Sequence, residues 1–192
     1  MDFLVWIFVA IVFYYAYRVI QVLIKMRKDI VLPVSAEELA SIRKEPQKTV
    51  KPPTYSSQRA GIIFYILVLI YIIGMIILVW RHDVGFGLYF LIIFPIFHLS
   101  NFLNLFAVTK DGILCGARFA SWKNIKSFEF LRIDVNHNYY GFSSEVNNQY
   151  ELRIKTRFST LSCVVTSEEM KAKLVGLLKE QGVEQKLEAE VI

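Results

Sequence analysis

The chain has 192 residues, 55% of them hydrophobic and 20% charged, and its formal net charge is +5. Eight basic and four acidic residues fall between Lys25 and Arg59, which accounts for +4 of that total, whereas the region from Ala107 onward is nearly neutral and shows no clustered Lys/Arg face. That excludes the electrostatic footprint of a nucleic-acid binder, and two cysteines, Cys115 and Cys163, make neither a disulfide framework nor a zinc spacing.

The apolar residues are bunched into runs instead of recurring at the period of a water-soluble element. Residues 1–24, 60–80 and 85–106 each approach the roughly 20 apolar residues that a helix needs to cross about 30 Å of hydrocarbon, so three transmembrane helices are expected. The first lacks a basic start and a small-residue cleavage site, and Phe3, Trp6, Phe8 and Phe13 make it too bulky for a cleaved signal. Only Asp2 precedes it, while Lys25, Arg27 and Lys28 follow, so the positive-inside rule puts the N-terminus outside and the next segment in the cytosol. Arg18 is expected to run its stem along the helix to the headgroups.

Residues 25–59 read as a basic cytosolic loop. Within it Ser35-Ala36-Glu37-Glu38 is a capping box, predicting a short amphipathic helix to about Glu45. Arg43 and Lys44 near its end suit a helix resting on the inner leaflet, and with Lys25, Arg27 and Lys28 they form the expected inner-leaflet basic set. Residues 47–57, with Pro52 and Pro53, read as an extended linker.

The spans 60–80 and 85–106 are joined by Arg81-His82-Asp83, short enough only for a tight external turn. Pro95 is expected to kink the third helix. Beyond it His98, Asn101 and Asn104 are three residues apart and predict a polar stripe. It reads either as an interhelical hydrogen-bond seam with the second helix or as a polar path through the membrane. No charged residue joins it to form a proton relay, which favours the seam.

From residue 107 the period changes to short alternating strands. Lys110-Asp111-Gly112 is a hairpin signal, Ser127 to Ile133 alternates with Phe128 and Phe130 on one face, and Tyr150, Leu152 and Ile154 alternate with charged neighbours. Residues 135–148 read as a long exposed loop whose aromatics Tyr139, Tyr140 and Phe142 are the candidate partner surface. Ser167-Glu168-Glu169 opens a helix with Met170, Leu174, Leu177 and Leu178 on one stripe, and Gly182 ends it. Residues 107–182 are therefore predicted to be a cytosolic α+β domain, an antiparallel curved sheet closed by one C-terminal helix, followed by a polar tail over 183–192.

The order Lys110-Asp111-Gly112-Ile113, then Ser121-Trp122-Lys123-Asn124-Ile125-Lys126-Ser127, then Ser167-Glu168-Glu169 opening a helix resembles bacterial pleckstrin-homology-like (PH-like) domains. These follow two or three transmembrane helices in many membrane proteins of Gram-positive bacteria. The resemblance covers about residues 104–182 and implies a PH-like fold, a bacterial plasma-membrane location, and core roles for Trp122 and Ile125. The basic inositol-phosphate loop of eukaryotic relatives is not matched, because Lys110 stands beside Asp111; phosphoinositide is not an expected ligand.

No glycine-rich phosphate loop, metalloprotease motif or nucleophile elbow occurs. His137, flanked by Asn136 and Asn138, is expected to be solvated. The expectation is thus a non-enzymatic membrane protein without a cofactor, binding the lipid bilayer and a protein partner or a second copy of itself. Self-protection against membrane-active peptides, which rests on the family likeness alone, and a transporter or channel component using the polar stripe are the alternatives.

Overall fold

The computed structural model describes residues 2–27, 29–82 and 87–186; Lys28, Asp83, positions 85–86 and the last six residues of the expected tail lie outside them. In chain order the elements are α1 (Asp2–Lys25), β1 (Ile30–Leu32), α2 (Ala36–Ala40), β2 (Ile42–Glu45), β3 (Lys48–Thr49), α3 (Tyr55–Arg81) and α4 (Gly87–His98), the last followed by a 3-10 turn, Leu99–Asn101. Then come β4 (Phe106–Thr109), β5 (Gly112–Cys115), β6 (Arg118–Ser121), a 3-10 turn at Trp122–Asn124, β7 (Ile125–Arg132), β8 (Tyr150–Thr156), β9 (Thr160–Val165), α5 (Glu168–Glu180) and β10 (Glu184–Gln185). The class is α+β.

Helices α1 and α3 run antiparallel. The Tyr55 hydroxyl donates to the Leu23 carbonyl at 2.7 Å, and the Tyr65 hydroxyl donates to the Tyr15 carbonyl at 3.0 Å. Tyr65, Ile72, Ile76 and Val79 form the buried stripe of α3 at helical spacing. Most other apolar side chains point outward, Phe3 at 76% and Trp80 at 71% exposure among them. Both helices are long and apolar enough to cross a membrane. Helix α4 lies against them, with Tyr89 stacked on Phe8 at 5.7 Å between centroids.

The third expected span is corrected by its length. Helix α4 has 12 residues and, with its 3-10 turn, stops at Asn101, so two helices among the described residues, not three, meet the length of a crossing. The end of the apolar run serves the sheet instead, since Phe106 pairs with Cys115 in the β4–β5 ladder.

Four strands make one sheet, in the order β1-β4-β5-β6, and six make a second, in the order β10-β7-β8-β9-β2-β3. All pairings are antiparallel except β10 with β7. Between the sheets lies the domain core, where Val108, Ile113 and Cys115 meet Phe128, Leu152 and Cys163, and where Met170, Leu174 and Leu178 of α5 close the side. Both cysteines are buried free thiols. Alternate residues of the four-stranded sheet face the other way. Ala107, Leu114 and Ala117 pack with Met26, Leu99 and Leu103 at the helix ends, so β4 and β5 are buried on both faces.

Residues 25–59 are not a loop with a linker. Ser35 caps α2 as expected, its side chain and that of Glu38 closing the capping box. The helix nevertheless ends at Ala40, because fully buried Ile42 enters the core opposite Val165 and Arg43 pairs with Val164. Arg43 and Lys44 therefore stand on a strand, not on a surface helix. The former linker continues as β3, with Val50 buried and its amide bonded to the Ile42 carbonyl at 3.0 Å. The start of the polar tail is also structured, since Val183 is buried and Glu184 pairs with Ser127. The expected hairpin is present, with Lys110 and Asp111 as its two loop residues and Gly112 paired to Thr109. Trp122, half-buried against the core, donates its indole N–H to the Lys110 carbonyl at 2.8 Å and so ties the β6–β7 connection to that hairpin, while Ile125 is buried.

Candidate site at the junction of helices and domain

The junction is built on Lys44. Strand β2 carries it toward the end of α4, where its ammonium donates to the Ser100 carbonyl at 3.2 Å and to Asn101 Oδ1 at 3.3 Å. Arg118, the first residue of β6, reaches the same turn and donates to Ser100 Oγ at 3.2 Å. Gly116 makes the approach possible. It has φ of +57°, and a Cβ there would collide with the Ser100 carbonyl and lie 2.9 Å from Lys44 Cε.

No carboxylate among the described residues comes within ion-pair distance of either Lys44 or Arg118. Burial pushes the Lys44 ammonium below its ordinary pKa, with Cys115 and Glu45 opposing that shift and Arg118 adding to it. The buried Nε atoms of Arg43 and Arg118 find no acceptor among the described residues, although Arg43 does pair with Glu145 through its Nη2. Beside these cations lie two adjoining cavities of about 640 and 200 Å³, which share Lys44, Glu45 and Asn101. The larger has Lys48 and Lys51 on the domain side and Phe64 and Phe102 on the helix side.

The expected polar stripe is divided by this geometry. His98 is exposed against the Phe94 ring. Asn101 holds Lys44, and the Asn104 amide donates to the Thr49 carbonyl at 2.6 Å. The Asn104 carbonyl accepts from Gln58 Nε2 and from the Lys51 amide, each at 2.9 Å. Spacing by threes presumed a helix that continues; the chain leaves it at Asn101, and both asparagines become the joint between helices and domain. Of the expected inner-leaflet set, Lys25 pairs with Asp111 and lies 5.1 Å from the Phe119 ring centroid, while Arg27 is exposed.

The 135–148 segment is tied down from below. Ile133, Val146 and Val164 form a small core against which Tyr139 packs, so Tyr139 is no free partner surface and burial raises its hydroxyl pKa. Tyr140 and Phe142 remain exposed, at 39% and 55%. His137 is not solvated either. Its Nδ1 accepts from the Tyr139 amide at 3.1 Å, so in the neutral ring Nε2 carries the proton and donates to Glu151 at 2.9 Å. Glu151 is only 3% exposed and also accepts from Arg153 Nε at 2.8 Å. The alternation of β8 had suggested a water-facing Glu151; the overlying loop could not be read from that strand.

Among the described residues no group of three or more His, Cys, Asp and Glu side chains is placed to hold a metal ion. No family model, no curated protein and no solved structure matches the chain. Fold and junction define an α+β protein with two helices able to cross a membrane and a cationic cleft where they meet a two-sheet domain.

Proposed function

We propose that this chain is a non-enzymatic protein of a bacterial plasma membrane, which holds a PH-like binding domain against the inner leaflet and offers the 135–148 loop to a protein partner. The observation that carries the reading is the exposure of Tyr140 and Phe142 on a loop fixed by its own small core. Rigid exposed aromatics lose little entropy on docking and are favoured interface anchors. Two sheets face to face with a closing helix support the PH-like assignment.

The orientation we favour has the N-terminus outside, with α1 and α3 as the two crossings. Helix α4 begins beside Phe8 and ends beside Lys44, so its helical residues, roughly 24 Å long at ordinary rises, lead from the far end of α1 back to the domain. Residues 102–105 complete the path to β4. Lys25, Lys44, Lys48, Lys51 and Arg118 all lie at the domain end, which the positive-inside rule assigns to the cytosol. The test is capture of a partner from the native membrane by the full-length protein. Tyr140→Ser/Phe142→Ser is expected to abolish capture without changing Tm, and capture that survives both substitutions overturns the reading. Tyr139 stays unaltered because it is part of the loop's support.

A further inference from the structure

We propose that the junction cleft is a binding site for the phosphate headgroup of an anionic phospholipid, with Lys44 and Arg118 as the inner cations and Lys48 and Lys51 as the outer ones. The inference deepens the functional reading and rests on its placement of the helices in the membrane.

Charge is the first reason. Arg43, Lys44, Lys48, Lys51 and Arg118 line the two cavities against one carboxylate, Glu45, and among the described residues only Arg43 of these has a carboxylate within ion-pair distance. A partly buried ammonium whose two hydrogen bonds go to neutral oxygens, with Glu45 as the one carboxylate in the lining, is a costly arrangement that an anion relieves. Unused donors are the second. Arg118 Nε is buried without an acceptor among the described residues, while the same guanidinium lines the smaller cavity and is steadied through Ser100 Oγ, so the guanidinium has donor capacity that an anion would use. Gly116 preserves the space, since any side chain there would occupy the Lys44 approach.

The walls identify the source of the phosphate. On one side are Lys48 and Lys51, both exposed; on the other are Ala60, Phe64 and Phe102 from α3 and the end of the α4 segment. Phe64 and Phe102 stack at 6.5 Å, and Phe64 turns 60% of its surface outward. A free phosphate gains nothing from that apolar side. A lipid satisfies both walls at once, its phosphate among the lysines and its acyl chains along α3.

The experiment uses the full-length chain in neutral-detergent micelles, titrated with phosphatidylglycerol, with phosphatidylcholine and with inorganic phosphate, and read by native mass spectrometry and thermal unfolding. Phosphatidylglycerol is expected to bind and raise Tm, with phosphatidylcholine at least about ten-fold weaker, the difference that one or two charge-assisted hydrogen bonds make. Lys44→Met should weaken phosphatidylglycerol binding by about ten-fold or more while leaving the lipid-free Tm unchanged or raised, since it removes a desolvated charge. Should Lys44→Met fail to fold, Lys48→Gln/Lys51→Gln decides, because both side chains are exposed; about five-fold weaker binding is expected. Equal binding of the two lipids, or variants that bind phosphatidylglycerol as the parent does, overturns the proposal. Inorganic phosphate that raises Tm alone and displaces the lipid overturns the lipid source. Loss of the lipid effect with intact Tyr140/Phe142-dependent capture removes this site and leaves the loop function standing.

Discussion

The two sheets of this protein solve different problems. The four-stranded sheet sends Phe106, Val108, Ile113 and Cys115 into the domain core and Ala107, Leu114 and Ala117 into the helix ends. The six-stranded sheet has one face in that core, while the other carries Glu129, Arg153 and Ser162 and is covered in part by the 135–148 loop. A strand between two apolar layers needs apolar residues on both faces, whereas a strand with one wet face alternates. Phe-Ala-Val-Thr and Gly-Ile-Leu-Cys, both buried throughout, are strands of the first kind. The contrast explains how the domain is fixed beneath the helices: β4 and β5 belong to both hydrophobic clusters at once.

The comparison is broken most severely at Leu114. Leu114→Asp places a charge in the layer between sheet and helices and is expected to remove roughly 4 kcal/mol or more of stability, read as loss of the monodisperse species in detergent. A smaller effect is expected on the wet side of the other sheet. Glu151→Ala takes away the buried carboxylate that accepts from both His137 and Arg153 and should lower stability by about 1–3 kcal/mol. Hydrogen exchange should then rise through residues 135–149 and stay unchanged in β4 and β5; faster exchange in both would mean that the sheets are not independently supported. The smallest effect sharpens the joint at α2. The Val34 amide, bonded to Glu38 Oε2 at 2.7 Å, is the main cause that holds the Glu38 carboxyl below its ordinary 4.5, with the Ser35 amide and Lys173 assisting against desolvation. A depressed carboxyl contributes stability that is present above pH 4.5 and lost as pH falls through its lower folded value. Glu38→Gln should therefore unfold slightly more easily at pH 7, by under about 1 kcal/mol, and the difference should vanish in acid.

Much of the outline was legible because it depends on local chemistry. The capping box at Ser35, the hairpin at Lys110-Asp111, the stripe of α5 and the apolar character of α1 and α3 each follow from spacing within one segment, although α3 starts at Tyr55, inside the expected linker. The errors share a cause. Ile42 turns a surface helix into a strand only because Val165, more than 120 positions later, offers a ladder. Asn101 and Asn104 leave a helical stripe because β2 and β3 come to meet them. His137 and Tyr139 go under cover because Glu151 and Val164 lie beneath the loop. Of the candidate site, the basic character of 25–59 was readable, but Arg118 and the opening at Gly116 were not, since nothing near them in the chain hints at Lys44.

What the sequence determined by itself is what short-range pattern encodes: that α1 and α3 are apolar over the length of a crossing, where α2 and α5 begin, and that a strand-rich region ends in an amphipathic helix. Only the tertiary structure decided which face of β4 and β5 meets the helices, that the 25–59 segment joins both sheets, and that cations from β2 and β6 converge at the end of α4. The physical reason is that burial and pairing between distant segments are collective: a residue's partner is chosen by what the whole chain brings beside it.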